Sequence, residues 1–123
     1  MKAPSKRILC VDDDQDTCEM LSTVLGMAGY EVTTISTAAE GAALAARRSF
    51  DLYLIDLWLS DGRGEELCQK IREFDPQTPI VIYSADARLS TKERLLAQYA
   101  QAYLVKPVGL DELEDTIAQH LAG

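Results

Sequence analysis

Four apolar runs in this chain end in groups capable of chemistry. Ile8 to Val11 runs into Asp12-Asp13, Leu52 to Ile55 into Asp56, Ile80 to Tyr83 into Ser84-Ala85, and Tyr103 to Val105 into Lys106-Pro107. If these runs are parallel strands, their carboxyl ends open on one edge of a sheet and the groups meet there. Carboxylates held that close raise one another's pKa and destabilise the fold unless something neutralises them. A hard divalent cation with oxygen ligands is the ordinary solution, and Mg²⁺ is the natural candidate. It binds through one or two carboxylates, keeps several waters and takes its other ligands from a phosphate, so the site would open toward substrate. A carboxylate is a competent nucleophile for a phosphoryl group, whose transfer needs alignment and stabilisation of charge on its equatorial oxygens. Mg²⁺ can hold one such oxygen, the Lys106 ammonium a second, and the Ser84 hydroxyl with the following backbone N–H a third. The resulting aspartyl phosphate hydrolyses on its own, so a site of this kind stores a signal for a limited time.

The elements that would position these groups alternate strand and helix five times, the pattern of a doubly wound α/β sheet. The first strand, about Arg7 to Val11, leads to a helix with an apolar stripe of Met20, Leu21, Val24, Leu25 and Ala28, which Gly29 is placed to stop. Tyr30 to Ile35 alternates only in part, as an edge strand does. Thr37 to Glu40 has capping-box spacing and opens an alanine-rich helix to about Arg48. Asp51 to Ile55 is apolar at nearly every position and reads as the central strand. Asp61-Gly62-Arg63-Gly64 is a turn by composition, and Leu67, Cys68, Ile71 and Phe74 mark the third helix before Pro76. Pro79 to Tyr83 is the fourth strand, and Ser90 to Glu93 repeats the capping-box spacing ahead of Leu95, Leu96 and Tyr99. Ala102 to Val105 is the fifth strand, followed by a helix striped with Leu110, Leu113, Ile117 and Leu121. Right-handed crossovers place helices on both faces, and the flavodoxin-like order 2-1-3-4-5 puts the crevice beside the strands ending in Asp12-Asp13 and Asp56.

Bulk properties narrow the possibilities. A chain of 123 residues fits one domain, 1–123, with an ordered core over about 5–122. A net charge of −8 disfavours direct contact with a nucleic-acid backbone and favours cations. Cys10, Cys18 and Cys68 form no C-x-x-C pair and sit in apolar patterns, so they read as small core residues. Lys2 and Lys6-Arg7 precede an apolar stretch too short for a signal peptide or membrane helix, and the expected location is the cytoplasm with no membrane contact.

The segments Ile8 to Asp14, Leu54-Ile55-Asp56-Leu57, Asp61 to Gly64, Ser84-Ala85 and Lys106-Pro107 together resemble the receiver domain of two-component response regulators, in order and along the whole chain. The resemblance implies that Asp56 is the phosphoacceptor, that Asp13 ligates Mg²⁺ directly and that Asp12 acts largely through water. It implies a further metal ligand in the Trp58 backbone carbonyl, a switch hydroxyl in Ser84, a phosphoryl-contacting lysine in Lys106 and an aromatic switch in Tyr103. Trp58 and Asp86 fall at two variable positions that tune phosphoryl lifetime: a bulky Trp58 should hinder water, whereas Asp86 could orient it. Ser60 stands where the family has proline. The implied donor is a phosphohistidine on a histidine kinase or histidine phosphotransfer protein. Output would pass through the fourth helix, fifth strand and fifth helix to an output domain or downstream protein, or to a phosphorylation-linked dimer.

Other readings of the same residues are weaker. Asp14 and Asp16 suit a helix start, complementing its macrodipole. An EF-hand loop from Asp12 fails because Thr17 and Thr23 occupy its glycine and bidentate glutamate positions. A phosphatase of the haloacid dehalogenase type would want a second aspartate where Trp58 stands, and a nucleotide or flavin binder would want glycines or hydroxyls in the acidic first loop. A phosphorylation-independent binding module is the remaining alternative. Tyr103 also suits simple core packing. His120, late in the last helix, reads as a solvated helix histidine rather than a phosphoryl carrier. Lys106-Pro107 is expected to be a cis peptide.

Overall fold

The computed structural model describes residues 5–122. Lys2, weighed above as part of a leader, lies outside the described residues. The elements run β1 (Arg7–Val11), α1 (Gln15–Met27), β2 (Glu31–Ile35), α2 (Ala38–Arg47), β3 (Leu52–Ile55), β4 (Trp58–Leu59), β5 (Gly62–Arg63), α3 (Gly64–Phe74), β6 (Ile80–Ser84), α4 (Leu89–Gln98), β7 (Ala102–Val105) and α5 (Leu110–Leu121). The principal sheet has the order β2-β1-β3-β6-β7 and is parallel throughout, the 2-1-3-4-5 winding expected of its five strands. β3 lies in the middle with every residue buried, and β2 forms an incompletely covered edge.

Alternation along the strands divides the core in two. Leu9, Val11, Tyr53, Ile55, Ile80, Ile82 and Tyr103 pack with Leu67, Cys68 and Ile71 of α3 and Leu95 of α4. Ile8, Cys10, Leu52, Leu54, Val81 and Leu104 pack with Leu21 and Leu25 of α1 and Leu113 and Ile117 of α5. Helices α3, α4 and α5 bury narrower stripes than their periodicity offered. Phe74, Leu96 and Leu110 end up 48%, 39% and 49% exposed, because each lies at the margin of its helix's contact with the sheet.

Several helix ends follow the sequence closely. The Asp14 carboxylate accepts the Thr17 N–H at 3.3 Å, and Gly29, at φ +98°, takes the left-handed conformation that ends α1. Thr37 Oγ1 accepts the Glu40 N–H at 3.2 Å. The start of α4 corrects the expectation. The helix begins at Leu89 rather than at a capping box led by Ser90, and its N-cap is Arg88. The cause lies two residues earlier, where the Asp86 carboxylate accepts the Arg88 N–H at 3.1 Å and turns the chain into the helix ahead of Ser90.

The segment after Asp56 is more ordered than a simple turn. Trp58 pairs with Arg63 and Leu59 with Gly62 as an antiparallel hairpin, β4-β5, with Ser60-Asp61 at its tip. Asp61 reaches back to α2, accepting the N–H groups of Ala38 at 2.8 Å and Ala39 at 3.1 Å. Two of the donors that a helix start leaves unpaired are thereby satisfied from 22 and 23 residues away. The Gly64 N–H then donates to the Leu57 carbonyl at 2.8 Å. A side chain at Gly64 would overlap the Asp56 carbonyl oxygen, so only glycine lets α3 begin flush against the end of β3.

Candidate functional site

The register that aligns Val11 with Ile55, Ile55 with Ile82 and Ser84 with Val105 brings the four strand ends to one edge. Asp12, Asp13 and Asp56 each offer a carboxylate oxygen within 4.8 Å of the others. Asp12 and Asp56 are buried, at 2% and 8% exposure, while Asp13 faces solvent, so the cluster has one open side. Lys106 crosses the crevice from the end of β7. Its Nζ donates to Asp12 Oδ2 at 2.7 Å and to Asp56 Oδ2 at 3.3 Å, and lies 5.0 Å from the centre of the Tyr83 ring. Burial opposes the ammonium charge, but the hydrogen bond to Asp12 and the nearby Asp56 outweigh it and hold the Lys106 pKa above its ordinary value. The peptide bond from Lys106 to Pro107 is cis, as expected, and the Lys106 N–H donates to the Ser84 carbonyl at 2.8 Å.

The Lys106 ammonium thus bonds two of the three clustered carboxylates and leaves Asp13 without it. The remaining negative charge sits in an oxygen-only donor set with an accessible side, which fits a hard divalent cation and no soft metal. Cys18 comes nearest to adding sulfur, but its thiol donates to the Asp12 carbonyl at 3.1 Å. Burial, reinforced by the Asp12 carboxylate, pushes that thiol's pKa up and away from the thiolate a metal would need. Cys10 and Cys68 are the buried core residues the sequence implied, whereas Cys18 lies only partly buried on α1.

Ser84 is fully buried, and its Oγ accepts the Asp86 N–H at 3.3 Å. Tyr103 belongs to the core, at 8% exposure, yet it also has a polar connection: its hydroxyl donates to the Asp86 carbonyl at 2.6 Å. Packing and a link toward the site are both realised in this side chain. Trp58 is 48% exposed with the Arg63 guanidinium 5.2 Å from its ring centre, and its N–H approaches Asp56 Oδ1 at 3.5 Å. Asp86 lies beside Trp58 with both carboxylate oxygens engaged by Arg88, Oδ1 at 3.0 Å from Nε and Oδ2 at 2.7 Å from Nη2. The Arg88 guanidinium holds the Asp86 carboxyl down at about 2. His120 is remote from this edge; its Nδ1 pairs with the Thr116 carbonyl at 2.8 Å within α5.

Two contributors escaped the sequence. Asp61 stood out only as a turn residue, although it ties the loop after Asp56 to α2. Arg88 carried no signal except its position two residues after Asp86, a spacing at which a guanidinium can fold back on a carboxylate.

The model of the response regulator receiver domain matches residues 8–118. The chain is 36% identical over 116 residues to the response regulator protein PilR of Pseudomonas aeruginosa, covering 94% of this chain and 26% of PilR. It is 33% identical over 107 residues to the cell cycle transcriptional regulator CtrA of Caulobacter vibrioides, covering 87% of this chain and 46% of CtrA. It therefore spans less than half the length of either relative. Among solved structures, a CheY-like response regulator receiver domain from Methanospirillum hungatei superposes with a TM-score of 0.92 at 35% identity, covering 96% of this chain and 94% of that one. The response regulator TrrA of Thermotoga maritima, solved in complex with Mg²⁺-BeF, superposes with a TM-score of 0.86 at 28% identity, covering 94% and 98%. No helix among the described residues is long and apolar enough to cross a membrane. With the winding, the acidic crevice and the sequence matches in agreement, the chain belongs to the receiver domain family of two-component response regulators.

Proposed function

We propose that residues 1–123 form a single receiver domain in which Asp56 accepts a phosphoryl group from a phosphohistidine on a histidine kinase or histidine phosphotransfer protein. The observation that carries this reading is the convergence of Asp12, Asp13 and Asp56, one carboxylate oxygen of each within 4.8 Å of the others, with the Lys106 ammonium bonded to Asp12 and Asp56. An Asp56 carboxylate oxygen forms a bond to phosphorus as the phosphorus–nitrogen bond breaks, and that electron pair returns to the imidazole of the donor. Lys106 balances charge on the incoming group, and Ser84 offers its hydroxyl to a phosphoryl oxygen at the neighbouring strand end. Asp12, Asp13, Asp56 and the Trp58 carbonyl would hold Mg²⁺, which when bound neutralises the acidic cluster and the developing phosphoryl charge. The Mg²⁺-BeF complex of TrrA supports this assignment by likeness.

The chain is a phosphorylation switch that catalyses only its own phosphoryl transfer and dephosphorylation, and it works in the cytoplasm, where its kinase partner presents the donor. Negative charge arriving at Asp56 biases Ser84 and Tyr103, and through them the α4-β7-α5 face. That face would meet an output domain, a downstream protein or a second phosphorylated copy. Incubation with a phosphohistidine donor and Mg²⁺ should label the wild-type chain and leave Asp56→Asn unlabelled. Trp58 fluorescence should respond to Mg²⁺ and then to beryllofluoride. Equal labelling of the variant would assign the phosphoryl group elsewhere.

A further inference from the structure

Beside the acceptor runs a groove lined by Leu57, Trp58, Glu65, Asp86, Arg88 and Arg94, among others. It holds two carboxylates outside the acidic cluster, and each is clamped by two guanidinium bonds. Glu65 on α3 is held by Arg94 at 2.9 Å and 2.9 Å, and Asp86 by Arg88 at 3.0 Å and 2.7 Å. The second clamp has the chemical consequence. Asp86 lies two residues past Ser84, its backbone is tied to Ser84 Oγ on one side and to the Tyr103 hydroxyl on the other, and it shares the groove wall with Trp58. Its side chain is 4% exposed, while the Arg88 side chain bound to it is 66% exposed. Arg88 is also the N-cap of α4, yet its side chain caps nothing in the helix and turns back onto Asp86.

We infer that Arg88 is a positioning residue that prolongs the phosphorylated state by keeping the Asp86 carboxylate from acting on water in this groove; the inference rests on Asp56 being the acceptor. Loss of the phosphoryl group needs a water oxygen to bond to phosphorus while the bond from phosphorus to the Asp56 oxygen breaks. Inorganic phosphate leaves and the Asp56 carboxylate is restored. The water's proton must go to a base, and a carboxylate in the groove with free lone pairs is suited to take it. Arg88 engages both Asp86 oxygens through its guanidinium and Oδ1 again through its backbone N–H, so most of the carboxylate's acceptor capacity is taken, and Trp58, with Arg63 over its ring, shares the groove wall. Arg88 thus acts through Asp86 and needs no contact with the phosphoryl group.

The test follows decay of label after removal of the phosphohistidine donor, in Mg²⁺, for the wild-type chain, Arg88→Ala, Arg88→Gln, Asp86→Asn and the double variant Arg88→Ala/Asp86→Asn. Both Arg88 variants should lose label about 100-fold faster than wild type, the lower end of what a positioned base contributes. Asp86→Asn should decay no faster than wild type, and the double variant should return to the slow rate. That rescue separates release of a base from damage to the loop, which a second substitution would not repair. Normal labelling with unchanged decay in Arg88→Ala and Arg88→Gln overturns the inference, as does a double variant that stays fast. A wild-type chain that takes no label overturns the acceptor reading, and this inference falls with it.

Discussion

The two edges of the sheet handle charge in opposite ways. At the amino edge, Arg72 is surrounded by acceptors: its guanidinium donates to the carbonyls of Asp75, Thr78 and Tyr99 and to the Gln101 side chain, at 2.7–3.1 Å. Asp75 completes the cluster, accepting from Tyr53 OH, Gln77 N and Thr78 N. At the carboxyl edge, three carboxylates cluster together and the Lys106 ammonium bonds two of them, Asp12 and Asp56. The amino edge joins α3, the start of β6 and the end of α4 with its polar groups matched. The carboxyl edge is left electrostatically incomplete. Matched charge stabilises and has little left with which to bind; surplus charge destabilises and leaves an oxygen-only cluster that fits a hard cation.

The contrast breaks most visibly if one cation is removed from each edge. Lys106→Ala should cut labelling by about 100-fold, because a charge-stabilising donor at the transferred group is lost. A labelling assay showing wild-type rates would remove Lys106 from the site's chemistry. Arg72→Ala should cost about 2 kcal/mol of stability, since several partly buried carbonyls lose their donor at once, while the folded fraction still labels normally. Urea denaturation gives the stability and the same labelling assay gives the chemistry. A loss of labelling larger than the loss of folded protein would show that the edges are coupled.

Smaller changes sharpen the distinction. Asp13→Asn should raise stability by up to about 1 kcal/mol in the absence of divalent cations, by relieving repulsion at an exposed member of the cluster. It should also diminish the stabilisation that Mg²⁺ confers on the wild type, read as a shift in the thermal midpoint. Acid should act on Asp75 with the opposite sign. Burial raises its pKa, but hydrogen bonds from Thr78 and Gln77 and the Arg72 charge more than offset this and leave it lowered. A carboxyl with a depressed folded pKa stabilises above its unfolded value of 3.8 and loses that contribution as pH falls through the folded value. Asp75→Asn should therefore flatten the fall in urea midpoint below about pH 4, the smallest of the four effects.

The same comparison shows why the carboxyl edge was so much more legible than the amino edge. Asp12, Asp13, Asp56, Ser84 and Lys106 each close an apolar run, so period and length alone place them at strand ends, and parallel winding does the rest. Arg72 and Asp75 sit at and beyond the end of a helix, where a charged pair ordinarily reads as solvated surface. Nothing local reveals that the carbonyls of Thr78 and Tyr99 will converge on one guanidinium. Asp61 and Arg88 were obscured for related reasons. The partners of Asp61 lie 22 and 23 residues upstream, and the hold of Arg88 on Asp86 competes with the plausible capping box that starts at Ser90.

The sequence by itself determined the winding, the central place of β3, the members of the acidic site and the stop at Gly29. These depend on the period of apolar residues and on backbone conformations that single residue types permit. Only the tertiary structure decided which carboxylates carry a cation of their own, how the hairpin after Asp56 is tied to α2, and that Asp86 enters the groove already clamped. Those outcomes depend on distances between groups far apart in the chain or on side-chain direction, and an unfolded string of residues specifies neither until the sheet has brought its edges together.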